Sequence, residues 1–217
     1  MSSARLPGKV LAPLYDSPMI RRVFSCLEKS GFELGQILLV TSLHESDDPL
    51  AEYVRSLGIS VFRGSLGNVV SRFLEAEKEY PCNWIIRVTG DSPFLSVQLL
   101  EYLRKELQNT ESEFITTTYR RTLPKGINLE AFSSKLLRSI GTGHKLDLPD
   151  REHLTSYWHN NIPDKGLTSI ELEGLDYSGK VAAIDTLTDL EMANEGKFEG
   201  VADCIPWERL ISRRVTR

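Results

Sequence analysis

Short apolar runs alternate with stretches of helical period through the first 120 or so residues. The segments 36–42 (QILLVTS), 59–63 (ISVFR), 83–89 (NWIIRVT) and 113–119 (EFITTTY) are rich in β-branched and aromatic residues and predict strands. Between them, DPLAEYVRSLG (48–58) opens on Asp and Pro and closes at Gly58, the start and stop signals of a helix. NVVSRFLEAEKEY (68–80) gathers Val69, Val70, Phe73 and Leu74 on one helical face with charges opposite. VQLLEYLRKEL (97–107) repeats that pattern through Leu100, Leu103 and Leu107. This alternation predicts right-handed βαβ units and an α/β fold, a mainly parallel central sheet with helices on both faces.

Beyond residue 120 the rhythm loosens. A Pro-Lys-Gly turn at 124–126 precedes a predicted strand, INLEAF (127–132), and a helix over SSKLLRSI (133–140). The loop GTGHKLDLPD (141–150) leads into REHLTSYWHNN (151–161), which reads as helical. LTSIEL (167–172) and KVAAI (180–184) read as two more strands, and a final helix is expected to begin near Asp185. With no repeat, low-complexity tract or linker, the expectation is one domain over 1–217 whose second half, from about 120, is elaborated.

Composition narrows the class. A chain of 217 residues with 41% hydrophobic and 26% charged positions can bury a core without staples, which excludes disordered and fibrous proteins. No apolar run approaches the roughly 18 residues of a membrane span, and MSSARLPGKV has no signal-peptide core. Cys26, Cys82 and Cys204 lie far apart, which predicts free thiols in a reducing cytoplasm. A net charge of −4 argues against a dedicated nucleic-acid binder.

Open α/β sheets bind ligands in loops beyond the carboxyl ends of their strands. Three segments fit such positions. SSARLPGKV (2–10) combines small residues, a Pro-Gly turn and two cations, Arg5 and Lys9, suited to phosphate; the same string also reads as an exposed, frayed terminus. In RVTGDSPFL (87–95), Gly90 permits close approach and Asp91 is presented where a carboxylate would hold Mg²⁺; Asp91 equally suits a cap on the following turn. In AAIDTLTDLEMANE (182–195), Asp185 stands at another strand end and could share that cation, or could serve with Thr186 as a helix cap.

Taken together, the three segments resemble the sugar-activating cytidylyltransferases. SSARLPGKVL (2–11) is similar to their S-[ST]-R-L-P-G-K-x-L loop. The resemblance continues in order through 47–65, RVTGDSPFL (87–95), LPKGINLEAF (123–132), DREHLTSYW (150–158) and IDTLTDLEMA (184–193). The nearest branch is the spore-coat-polysaccharide type, related to the CMP-sialic acid and CMP-KDO synthetases. The resemblance implies a nucleotide-diphospho-sugar-transferase-like three-layer sandwich. It also implies a Mg²⁺-dependent transfer of CMP from CTP to a sugar, for surface polysaccharide or glycan synthesis, with a homodimer among the expected states. By that pattern Arg5 and Lys9 grip the triphosphate and act catalytically. Ser2, Ser3, Arg63, Ser65 and Thr89 face the nucleotide, Asp91 and Asp185 hold the metal, and Glu130, Glu152 and His153 face the sugar. His153 also reads as a helix-face residue satisfied by Glu152 or Asp150, while His44, His144 and His159 have no assigned role.

Three departures qualify the resemblance. Asn128 replaces an aspartate in the G-x-D-V-E stretch, Leu66-Gly67-Asn68 replace acidic residues, and Met1 aligns inside the phosphate loop, without the apolar strand and Q-A-R or P-A-R string that precede it in the family. The expectation is a native start roughly eight to ten residues upstream, the strand lying near mid-sheet. The chain as given is then expected to be poorly active, prone to associate, or rescued by another segment. Besides a CTP-dependent sugar cytidylyltransferase, two alternatives stand: a non-catalytic descendant that binds a nucleotide or a partner, and the same chemistry with another nucleotide.

Overall fold

The computed structural model describes residues 6–141, 147, 151, 155–163, 165–197 and 204–216. A short hairpin, β1 (Pro13–Leu14) with β2 (Ser17–Pro18), turns the chain into helix α1 (Met19–Lys29). This helix lies outside the predicted elements, although its buried residues, Met19, Ile20, Val23, Phe24 and Cys26, form one stripe. Strand β3 (Leu38–Ser42) then pairs in parallel with β4 (Ser60–Gly64), in register from Leu38 opposite Ser60 to Ser42 opposite Gly64. The crossover between them is α2 (Asp48–Ser56), with Gly58 at φ +78° reversing the chain after it. A buried carboxylate fixes the junction: Asp47 accepts hydrogen bonds from the Thr41 hydroxyl (2.6 Å) and the Ser42 amide (3.0 Å) and hydroxyl (2.6 Å). Burial alone would raise its pKa, but these donors outweigh it and hold the carboxyl well below the usual range.

Helix α3 (Val69–Glu79), capped by Asn68, leads to β5 (Trp84–Arg87); α4 (Val97–Asn109), capped by Ser96, follows. Next come β6 (Phe114–Thr116), β7 (Glu130–Ser133), α5 (Ser134–Gly141), α6 (Ser156–Asn160), β8 (Leu167–Leu172), α7 (Leu187–Asn194) and β9 (Leu210–Val215). They build a five-stranded sheet in the order β5-β7-β6-β8-β9. Its β6–β8 pair is parallel and its other pairs antiparallel, so the second half is mixed. The reason is local: the link from Thr116 to Glu130 carries no crossover helix, so β7 returns antiparallel beside β6.

Two expectations shift. The segment KVAAI is not a strand; it makes one parallel bridge, Lys125 with Val181, in which Lys125 N–H donates to Lys180 O and Ala182 N–H to Lys125 O. Gly126, at φ +99°, turns the chain away before a second rung forms. The last helix begins at Leu187, not Asp185, behind an N-cap at Thr186.

Helix α1 spans the two sheets. Met19 and Cys26 join the main core with Leu95, Leu99 and Ile115, whereas Ile20 and Phe24 join Ile37, Val54 and Ile59 around β3, β4 and α2. The Cys26 thiol donates to Leu95 O, and burial pushes its pKa up to about 11. All three cysteines are free. A third cluster packs Trp158 at a tilt against Phe114 and Phe132, with centroids 5.2 and 5.0 Å apart. Among the described residues, β3 and β5 each hydrogen-bond to another strand on one side only. No described helix is long and apolar enough to cross a membrane.

Gly126 allows the 124–128 turn to lie against the segment that leads to Asp185. A Cβ there would meet Ala183 N at 2.5 Å and Ala182 C at 2.6 Å, both backbone atoms. Gly126→Ala is therefore expected to lose at least about 2 kcal/mol of stability, from positive φ and steric overlap together. Equilibrium urea unfolding checks this, and a loss below about 0.5 kcal/mol would show that the turn relaxes freely.

Candidate active site

Three segments far apart in sequence meet at one ammonium group. Gly8, at φ 72°, starts a tight turn over Lys9–Leu11 that aims Lys9 inward, leaving its side chain only 13% exposed. Lys9 Nζ donates to Asp91 Oδ2 at 2.6 Å and to Asp185 Oδ1 at 2.9 Å, with Ile184 O at 3.4 Å. The facing carboxylate oxygens of Asp91 and Asp185 can therefore be no farther apart than two short hydrogen bonds laid end to end. Both aspartates are about one-third exposed, so the cluster sits at the surface of the core with its carboxylates open to solvent.

Local chemistry explains each placement. Gly90 carries the turn after β5: a Cβ there would lie 2.9 Å from Ile20 Cδ1 and 3.4 Å from Val10 Cγ1. Glycine thus lets the Asp91 loop close onto α1 and the Lys9 turn. At Asp185 the helix-cap alternative is resolved by division of labour. The Thr186 hydroxyl accepts from Asp189 N–H, while Asp189 Oδ2 accepts from the Thr186 and Asp185 N–H groups (2.8 and 3.0 Å). Thr186 and Asp189 form the cap, and the Asp185 carboxylate faces Lys9. Burial would depress the Lys9 pKa, but hydrogen bonds and charge from Asp91 and Asp185 outweigh it and raise it above 10.5. The stabilisation this represents is complete at neutral pH and is lost only as pH rises through the raised value.

The other candidate residues do not gather so closely. Arg63 is occupied by its own neighbourhood: Nε donates to Ser42 O (2.8 Å), Nη2 donates to His44 O (3.0 Å), and the same Nη2 pairs with Asp48 (2.6 Å). The Ser65 hydroxyl accepts from Asn68 N–H, and the Thr89 hydroxyl lies 2.7 Å from that of Ser92. Glu130 is buried between Arg87 and Thr155. Asn128 presents a buried Oδ1 with no hydrogen-bond partner among the described residues. Ser2, Ser3, Arg5, Glu152, His153 and His144 lie outside the described residues.

Comparison with known proteins bears on what this cluster serves. The cytidylyltransferase family model matches residues 1–163, three-quarters of the chain. The chain belongs to the cytidylyltransferase family. It is 33% identical over 164 residues to the spore coat polysaccharide biosynthesis protein SpsF of Bacillus subtilis, covering 74% of this chain and 67% of that one. It is 31% identical over 191 residues to an uncharacterized protein of Methanocaldococcus jannaschii, covering 88% and 76%. A cytidylyltransferase structure from Leptospira borgpetersenii superposes with a TM-score of 0.82 at 29% identity, covering 96% of this chain and 85% of that one. A CMP-2-keto-3-deoxy-manno-octonic acid synthetase complexed with CTP shares the fold, with a TM-score of 0.64 at 15% identity. The cytidylyltransferase fold and the nucleotidyltransferase class expected from the motifs are thereby established.

Three residues in this cytidylyltransferase went unassigned in the sequence. Arg87 ends β5 and pairs with Glu130; Arg72, half-buried, donates from Nη1 to Ser65 O and lies near both Asp47 and Arg87. Burial is the main cause of the depressed Arg72 pKa. His159 lies between Phe114 and Tyr119, its pKa lowered chiefly by burial. The only sequence signal for Arg72 and Arg87 was an arginine inside or ending an otherwise amphipathic element, which is also an ordinary surface pattern.

Replacing Lys9 by Met removes the ammonium group that lies between the Asp91 and Asp185 carboxylates. Their repulsion raises the apparent pKa of the pair, so Lys9→Met is expected to lose about 1 kcal/mol near pH 7, the groups being partly solvated. Stability should return as pH falls towards 4 and the pair takes up a proton. Calorimetric melts between pH 4 and 8 check this. A deficit independent of pH would mean that the carboxylates do not sense each other.

Proposed function

We propose that the chain transfers CMP from CTP to a sugar, releasing pyrophosphate, as a cytoplasmic step in surface polysaccharide or glycan synthesis. A sugar hydroxyl attacks the α-phosphorus in line; the new O–P bond forms as the bond to the β-phosphate bridging oxygen breaks, pyrophosphate leaves, and the hydroxyl proton passes to solvent. Such a transfer needs positioned reactants and neutralised phosphate charge, with little covalent help from the protein. The observation that carries this reading is the meeting of Lys9, Asp91 and Asp185 at the mouth of the sheet in a chain of the cytidylyltransferase family.

The donor set suits Mg²⁺. Asp91 and Asp185 present hard carboxylate oxygens around a position where Lys9 already places a positive charge. No group of three or more metal-ligating side chains exists among the described residues, and Mg²⁺ is commonly held by one or two carboxylates with phosphate and water completing the shell. When bound, Mg²⁺ would neutralise the phosphates and stabilise the leaving pyrophosphate. Lys9 would move from the carboxylates to a phosphate oxygen, a short shift for a flexible four-carbon chain. Arg5, in the same loop, would add a second cation to the triphosphate. Glu152 and His153 would line the sugar side. The non-catalytic alternative is the weaker one, because binding a partner requires no lysine between two converging carboxylates.

Pyrophosphate release from the four nucleoside triphosphates, with and without Mg²⁺, tests the reading. The acceptors should be a panel of sugars that includes 3-deoxy-manno-octulosonate. CTP with one sugar and Mg²⁺ is the expected productive combination. Lys9→Ala should reduce its turnover by roughly 10²–10³ with the circular dichroism spectrum unchanged, and Asp91→Asn and Asp185→Asn should do likewise. Turnover by Lys9→Ala close to that of the native chain would sink the assignment.

A further inference from the structure

Glu130 is held in a way that does not suit direct contact with a substrate. Its residue is 6% exposed, and both carboxylate oxygens are used by the chain itself. Oε2 accepts from Arg87 Nη1 at 2.5 Å, and Oε1 accepts from the Thr155 hydroxyl at 2.6 Å. Arg87 is the last residue of β5, four positions before Asp91. Thr155 stands at the N-cap of α6, yet its hydroxyl makes no capping bond; it is turned to Glu130 instead. That helix places Trp158 against Phe114 and Phe132, and His159 Nε2 at 3.4 Å from Thr118 Oγ1. A buried carboxylate bonded on one side to a cation and on the other to a helix start resists displacement in either direction, since moving away from either partner strands a desolvated charge.

We propose that Glu130 is a positioning residue: it sets the distance between the end of β5, with the Asp91 loop beyond it, and the first turn of α6, and it is not a ligand of the sugar. The consequence for turnover rests on the nucleotidyl-transfer reading above; the mechanical part does not. Two variants separate the halves of the tie. Glu130→Gln keeps an acceptor for Thr155 and removes the charge facing Arg87, whereas Thr155→Val removes the other bond.

Amide hydrogen exchange on the full chain reads the effect directly. The Trp158 and His159 amides donate to Thr155 O at 3.1 and 3.2 Å, and Thr155→Val is expected to speed their exchange about tenfold. Glu130→Gln should do the same for the amides of 88–91. With CTP, Mg²⁺ and whichever panel sugar supports turnover, Thr155→Val should lower kcat/KM several-fold, because position is lost although no contact is. The proposal is overturned if Thr155→Val leaves both exchange and turnover at native values while Glu130→Gln abolishes turnover without changing exchange, since Glu130 would then touch substrate. If the native chain turns over no sugar, the nucleotidyl-transfer reading fails and the exchange result alone decides the positioning role.

Discussion

A single ammonium group between two carboxylates ties together the first turn of the chain, the loop after β5 and the segment before α7. Two like charges brought this close repel unless a cation lies between them, so Lys9 makes the approach of Asp91 and Asp185 favourable. The surrounding sequence serves that approach. Gly8 and Gly90 remove steric obstacles to the two turns, Gly126 admits the segment leading to Asp185, and the Thr186–Asp189 cap frees the Asp185 carboxylate. A site whose anions are preassembled around a displaceable positive charge suits a highly anionic ligand that brings its own counterion.

Electrostatics divides the charged residues of this region into two kinds. The Asp91 and Asp185 carboxylates keep about a third of their surface in water and can exchange partners at modest cost. Glu130, bonded to Arg87 and Thr155, and Asp47, with its hydroxyl and amide donors, are drier and satisfied by the chain itself. Carboxylates of the second kind hold geometry; those of the first kind face the solvent from which a ligand arrives. Arg63 is likewise held by the chain, bonded to Ser42 O, His44 O and Asp48, although the family resemblance made it a candidate for the nucleotide.

Much of the fold was legible because period reports burial. The strands β3, β4, β5 and β8 and the helices α2, α3 and α4 lie within a residue or two of the places their patterns predict. Asp91 was legible for a related reason, since it stands in the loop beyond the carboxyl end of β5, whereas Asp185 follows a segment that has a strand's composition without forming one. What failed depends on contacts that periodicity cannot see. The KVAAI segment has a strand's composition, but a glycine at positive φ on the opposite segment stops the ladder after one bridge. The inward orientation of Glu130 was likewise invisible, since alternation marks which face a residue occupies but not whether a partner such as Arg87 waits there. Arg5, Glu152 and His153 lie outside the described residues.

The junction between β3–β4 and the five-stranded sheet has a mechanical consequence. Among the described residues no strand-to-strand hydrogen bonds cross it, and α1 spans it with Ile20 and Phe24 packed on one side and Met19 and Cys26 on the other, the Cys26 thiol bonded to Leu95 O. Dispersion contacts are non-directional and let surfaces slide, whereas a hydrogen-bonded ladder is stiff in its own plane. The Lys9 turn leads into α1 through the β1–β2 hairpin, so any displacement of α1 is passed to Lys9 and to its separation from the Asp91 loop.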